Sequence, residues 1–151
     1  MEKIIAIEEI RNQVVVHRLA GQRDQNGRKE TKELIHDGYM VLTDNQIIEL
    51  TISKKQQCCE AWGYFWCNDN PQDFIGAELI NVSITDTALN TKNMREIDEV
   101  KENTNDEAEI MFVNLETNMG VLQFVAYNVQ NGYYGHLARV KSTQINHEET
   151  L

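Results

Sequence analysis

Residues 38–52, Gly38-Tyr39-Met40-Val41-Leu42-Thr43-Asp44-Asn45-Gln46-Ile47-Ile48-Glu49-Leu50-Thr51-Ile52, decide the fold class. Two apolar runs flank Thr43-Asp44-Asn45, where Asp and Asn offer side-chain turn bonds and tolerate left-handed backbone. In the second run Ile48, Leu50 and Ile52 share one face while Glu49 and Thr51 occupy the other, the period of two of a half-buried strand. A hairpin is predicted.

Working outward, residues 13–19 (Gln-Val-Val-Val-His-Arg-Leu) form a β-branched run ending at Gly21, and the polar dozen that follows, with its Asn26-Gly27 turn signal, reads as an exposed loop. Residues 73–84 repeat the alternation, setting Ile80, Val82 and Ile84 against Asn81 and Ser83. Residues 110–115 and 121–127 bracket Glu116-Thr117-Asn118-Met119-Gly120, a second hairpin with a longer turn, and residues 133–140 close the sheet after Asn131-Gly132. Between them, residues 87–109 are a polar, acidic insertion in which Met94, Ile97 and Val100 can support a short amphipathic helix but nothing supports a strand. The expected fold is α+β and mainly antiparallel β: a curled sheet or sandwich of about seven strands with one or two short helices. Residues 1–141 form one β-rich domain in this reading, and residues 142–151 a disordered tail.

A chain of 151 residues is the usual size of one domain with one core. No window approaches the roughly 18 consecutive apolar residues of a membrane span, and residues 1–9 are too short and too acidic for a signal peptide, so a cytosolic protein is expected. The formal charge is -10. Residues 1–33 hold seven Lys/Arg against six Asp/Glu, and the rest hold seven against eighteen, which is -11. Nucleic-acid binding relies on Lys and Arg against phosphates, so this balance argues against direct binding and favours a basic protein partner. The partner-facing candidates are Glu96, Asp98, Glu99, Glu102, Asp106 and Glu107.

All three cysteines and both tryptophans fall in residues 57–67, Gln-Cys-Cys-Glu-Ala-Trp-Gly-Tyr-Phe-Trp-Cys. Clustered thiols of odd number in a cytosolic chain read as reduced. Cys58, Cys59 and Cys67 with His136, or with Glu60, have the donor chemistry of a structural zinc site, although Cys58 and Cys59 point to opposite faces of any regular strand unless the backbone turns, which Gly63 makes possible nearby. Buried structural thiols are the plainer alternative. A nucleophilic cysteine is disfavoured by the Glu60 carboxylate beside Cys59. Trp62, Tyr64 and Trp66 share parity and form a stripe that serves either as core or as a stacking or docking surface.

Cys58-Cys59-Glu60, Asp73-Phe74-Ile75-Gly76-Ala77 and Asn131-Gly132-Tyr133-Tyr134 together resemble a family of small proteins encoded by phages, prophages and mobile elements, over about residues 38–141. The resemblance implies a phage context and a host-cytoplasmic site of action, and names no reaction. With the acidic surface it points to a binding protein acting as an anti-defence inhibitor of a basic host nuclease, such as a CRISPR effector. Two other classes remain open: a metal-dependent hydrolase or nucleotide-handling enzyme built on Cys59, Glu60 and His136, and a structural or regulatory phage module that self-associates.

Overall fold

The computed structural model describes residues 1–23, 25–27, 29–54, 60–104, 106–130 and 135–151, with backbone alone for 17–23 and 29–31. Among these residues nine strands form one open, curled, antiparallel sheet: β1 (Glu2–Arg23), β2 (Lys29–Thr43), β3 (Ile47–Ser53), β4 (Ala61–Trp66), β5 (Glu78–Thr85), β6 (Glu107–Thr117), β7 (Gly120–Gln130), β8 (Leu137–Lys141) and β9 (Asn146–Thr150). One α-helix, α1 (Arg95–Thr104), precedes β6. The spatial order is β4-β7-β6-β5-β1-β2-β3-β8-β9.

The sheet is joined in its middle by only two pairs, Glu2 with Leu79 and Lys3 with Glu78. Curling there lets the two halves face each other across one core. Ile48, Leu50 and Ile52 on β3 meet Met111, Val113 and Leu115 on β6 and Leu122, Phe124 and Ala126 on β7. The alternation that predicts β3 is therefore the alternation that fills the core. On the outer side of β6 and β7 a second cluster, Phe112, Val125, Tyr127 and Val129, is covered by Met94 and Ile97 of the helical segment.

The β2–β3 hairpin forms as expected, with Thr43 Oγ1 accepting the Asn45 and Gln46 amides in the turn. Several expectations need correction. The polar stretch after Gly21 is the far part of a long β1–β2 hairpin turning at Asn26-Gly27, because cross-strand pairing continues to Arg23 with Lys29. Residues 2–10 are strand although their pattern is irregular: a register shift between Ile4 and Ala6 puts Ile4 and Ile7 both in the core and leaves Ile5 exposed. A similar shift between Leu79 and Asn81 exposes Ile80, so of the predicted trio only Val82 is buried. The acidic insertion ends in strand, since Glu107, Ala108 and Glu109 pair with Gln130, Val129 and Asn128. The β6–β7 turn is short, Thr117 pairing with Gly120. Past Lys141 the chain is ordered as β9 against β8, and Leu151 is buried.

Candidate functional site

The Glu of the Cys-Cys-Glu motif sits just before β4, and His136 just before β8. Their side chains meet. His136 Nε2 lies 2.9 Å from Glu60 Oε1, and each side chain is 1% exposed. His136 Nδ1 lies 2.6 Å from the Ser53 carbonyl oxygen. A carbonyl only accepts, so Nδ1 donates, and a single proton lies between Nε2 and the Glu60 carboxylate. Trp62 stacks on the imidazole at 5.1 Å and 25°. The Leu137 amide donates to Ser53 Oγ, and the His136 and Leu151 backbones exchange two hydrogen bonds. Leu151 O also accepts from Asn128 Nδ2 and Gln130 Nε2, each at 3.1 Å. The pair thus clamps the end of β3, the start of β4, the start of β8 and the chain after β9 at the place where the curled halves approach.

Both ring nitrogens of His136 are engaged by protein groups, Nδ1 by the Ser53 carbonyl and Nε2 by Glu60, which suits a clamp between strand ends. Cys67 is placed elsewhere. It lies in the outer cluster beneath the helix, five strand positions beyond Trp62 (about 16 Å along a strand) and on the opposite face. Its thiol accepts from the Asn90 amide at 3.3 Å and donates to the Asn90 carbonyl at 3.4 Å. The expected ligand set is therefore divided: Cys67 and His136 do not share a site, and Cys58 and Cys59 lie outside the described residues. Among the described residues no three His, Cys, Asp or Glu groups converge as a metal site would require.

The aromatic stripe points inward. Trp66 is core, Trp62 and Tyr64 pack against it, and Tyr39 bridges Tyr64 and Trp66 at centroid distances of 5.7 and 5.1 Å. Burial, then the Glu9 charge, pushes the Tyr64 hydroxyl up to about 12 and raises that of Tyr39. Gly63, between the aromatics, marks no bulge; the ladder is regular, and a Cβ there would come within 2.8 Å of the Tyr127 hydroxyl opposite. The Asp73–Ala77 motif is likewise structural: Gly76 has φ +90°, its amide donates to the Ile4 carbonyl, and the Ile4 amide donates to Ala77. Asn131-Gly132-Tyr133-Tyr134 lies outside the described residues.

The acidic candidates are on the surface. Glu96, Asp98, Glu99 and Glu102 on α1 are exposed, as is Glu107 at the start of β6, while Asp106 is half-buried. Ile97 is 1% exposed and holds the helix to the sheet, so the apolar side is down and the carboxylates are up. Glu96 also accepts from the Tyr127 hydroxyl at 3.2 Å. Burial, with the Glu96 charge second, pushes that hydroxyl up to about 12.

Two polar features escape sequence reading. Gln123, 1% exposed, binds Leu89 N, Thr87 O and Asn114 Oδ1 and fixes the loop leading to the helix. Asp37, buried, accepts from the Asn12 amide at 2.8 Å and faces Arg11 and Lys54 at 3.8 and 3.5 Å. Asn12 has φ +57°, a signal that an Arg-Asn-Gln sequence only hints at.

Residues 4–140 match a family described as Domain of unknown function (DUF7448). No curated protein and no solved structure matches the chain.

Proposed function

The chain belongs to the DUF7448 family, and we propose that it is a binding protein acting without turnover, an anti-defence inhibitor of a phage or mobile element that engages a basic host nuclease through the exposed acids of α1. One observation carries this reading: Met94 and Ile97 fasten the helical segment to the sheet, and Glu96, Asp98, Glu99 and Glu102 are left in solvent. A row of carboxylates on a supported helix presents fixed negative charge to a surface made for phosphates. Such a face steers association and competes for the nucleic-acid channel. The formal charge of -10 acts in the same direction.

The hydrolytic alternative needs Glu60 and His136 at a cleft, and both side chains are almost fully enclosed. An enclosed pair bonded to the strand ends suits a clamp better than a general base, which must reach its substrate. Adding the purified protein to a basic RNA-guided nuclease, with cleavage followed at increasing salt, tests the proposal. Loss of cleavage that weakens as salt rises is expected. Undiminished cleavage together with metal-dependent turnover of a nucleotide by the protein alone would replace this reading with the enzymatic one.

A further inference from the structure

Asn26-Gly27 turns the long β1–β2 ribbon and serves neither the core nor the acidic helix. Residues 25–27 are exposed, and Gly27 has φ +76° with nothing within 4 Å of the place a Cβ would take. Beyond the pair of Arg18 with Thr31 the ladder is interrupted: β1 advances five residues to Arg23 while β2 gives up only two, to Lys29. The pair of Arg23 with Lys29 therefore frames the tip apart from the rest of the ladder.

Two other hairpin turns carry an asparagine, and each restrains it. In the β2–β3 turn the Gln46 amide, the nitrogen that follows Asn45, donates to Thr43 Oγ1 at 2.9 Å. In the β6–β7 turn the Met119 amide donates to Thr117 Oγ1 at 3.1 Å, while Asn118 Oδ1 accepts the Glu78 amide at 2.8 Å. A nitrogen directed at a threonine is turned from the side chain before it, and the Cβ of Gln46 or Met119 crowds the approach as well. Gly27 has no such carbon, and its backbone reaches conformations closed to other residues. We propose that Asn26 is a site of spontaneous deamidation. The Gly27 nitrogen bonds to Asn26 Cγ, the side-chain amide leaves as ammonia with the proton that Gly27 gives up, and a cyclic imide results. Water then opens the imide at either carbonyl, leaving aspartate or the isomer whose main chain runs through Cγ. Each conversion adds one negative charge, so residues 1–33, with seven Lys/Arg against six Asp/Glu, become seven against seven. This inference does not rest on the nuclease reading, because α1 takes no part in it.

Incubation of the full chain at 37 °C and mildly alkaline pH, with peptide mass analysis over days, is the test. An amide-to-acid mass shift at Asn26, accumulating faster at higher pH and within about tenfold of the rate in a free peptide of residues 24–28, is expected. Asn45 and Asn118 should keep their amides over the same period. Gly27→Ala should slow the conversion by about tenfold or more. Asn26→Gln, which leaves Gly27 in place, should abolish the shift at residue 26. Retention of the Asn26 amide under conditions that convert the free peptide, or conversion of Asn118 as fast as Asn26, would overturn the proposal.

Discussion

Glu60 and Glu99 are the same residue type in opposite settings, and the contrast separates what holds this protein together from what it presents. Glu60 is enclosed, 2.9 Å from His136, at a junction of four strand ends. Glu99 stands exposed on a helix whose opposite side is anchored by Ile97. A buried charge left without its partner carries a large desolvation cost, whereas an exposed carboxylate is solvated whatever its neighbours do. The first kind of residue is fixed by the fold, and the second is available for binding.

The largest expected effect comes from breaking the enclosed pair. His136→Ala should destabilise the protein by about 3–5 kcal/mol, measured by urea unfolding, because it removes the buried ring that bonds Glu60 and the Ser53 carbonyl and stacks on Trp62, and leaves a cavity in its place. Replacing both residues together should cost less than the sum of the single changes. If His136→Ala instead left stability unchanged while abolishing a function, the clamp would have to give way to a catalytic or ligand role. Next in size is the helix anchor. Ile97→Ala should cost about 3 kcal/mol and expose the amides of β6 and β7 near Phe112 and Val125 to exchange.

Neutralising the exposed acids should barely register on stability. Asp98→Asn with Glu99→Gln and Glu102→Gln should shift it by less than about 1 kcal/mol. Smaller still is the effect at Tyr127, which lies between the two settings. Its folded-state titration is raised, chiefly by burial and then by Glu96. The stabilisation is present in full below the ordinary tyrosine range near 10 and is lost as pH rises through about 12, because the unfolded chain gives up the proton first. Phenolate absorbance should therefore report late-titrating tyrosines, Tyr64 and Tyr127, of which the Tyr127 component alone moves part of the way back in Glu96→Gln. A full return would mean that the carboxylate, and not burial, dominates.

Much of the framework is legible in residue order, and the failures have physical causes. The Ile48, Leu50 and Ile52 alternation predicts β3 because that strand packs one face on the core without interruption. Ile4 and Ile7, three apart, hide β1 because a bulge between them restores their common face, and a bulge leaves little trace in sequence. Met94 and Ile97 reveal the helical segment since helical spacing survives among acids. Residue type brings Glu60 and His136 to one site although 76 residues separate them, but as metal-binding or hydrolytic groups; that they bond directly to each other in an enclosed junction follows only from the curl of the sheet. Cys67 and His136 invite a shared metal on residue type alone, but strand parity and distance along β4 put them in separate clusters.

The central claim is that the exposed carboxylates bind and the enclosed one holds the fold. Equilibrium titration of a basic RNA-guided nuclease with the native protein and with the Asp98→Asn, Glu99→Gln, Glu102→Gln variant tests it most directly. Saturable, salt-sensitive binding by the native protein is expected, with at least about tenfold weaker binding by the variant at an unchanged unfolding midpoint. Equal binding by the two proteins, or none by the native protein at low salt, would contradict the account.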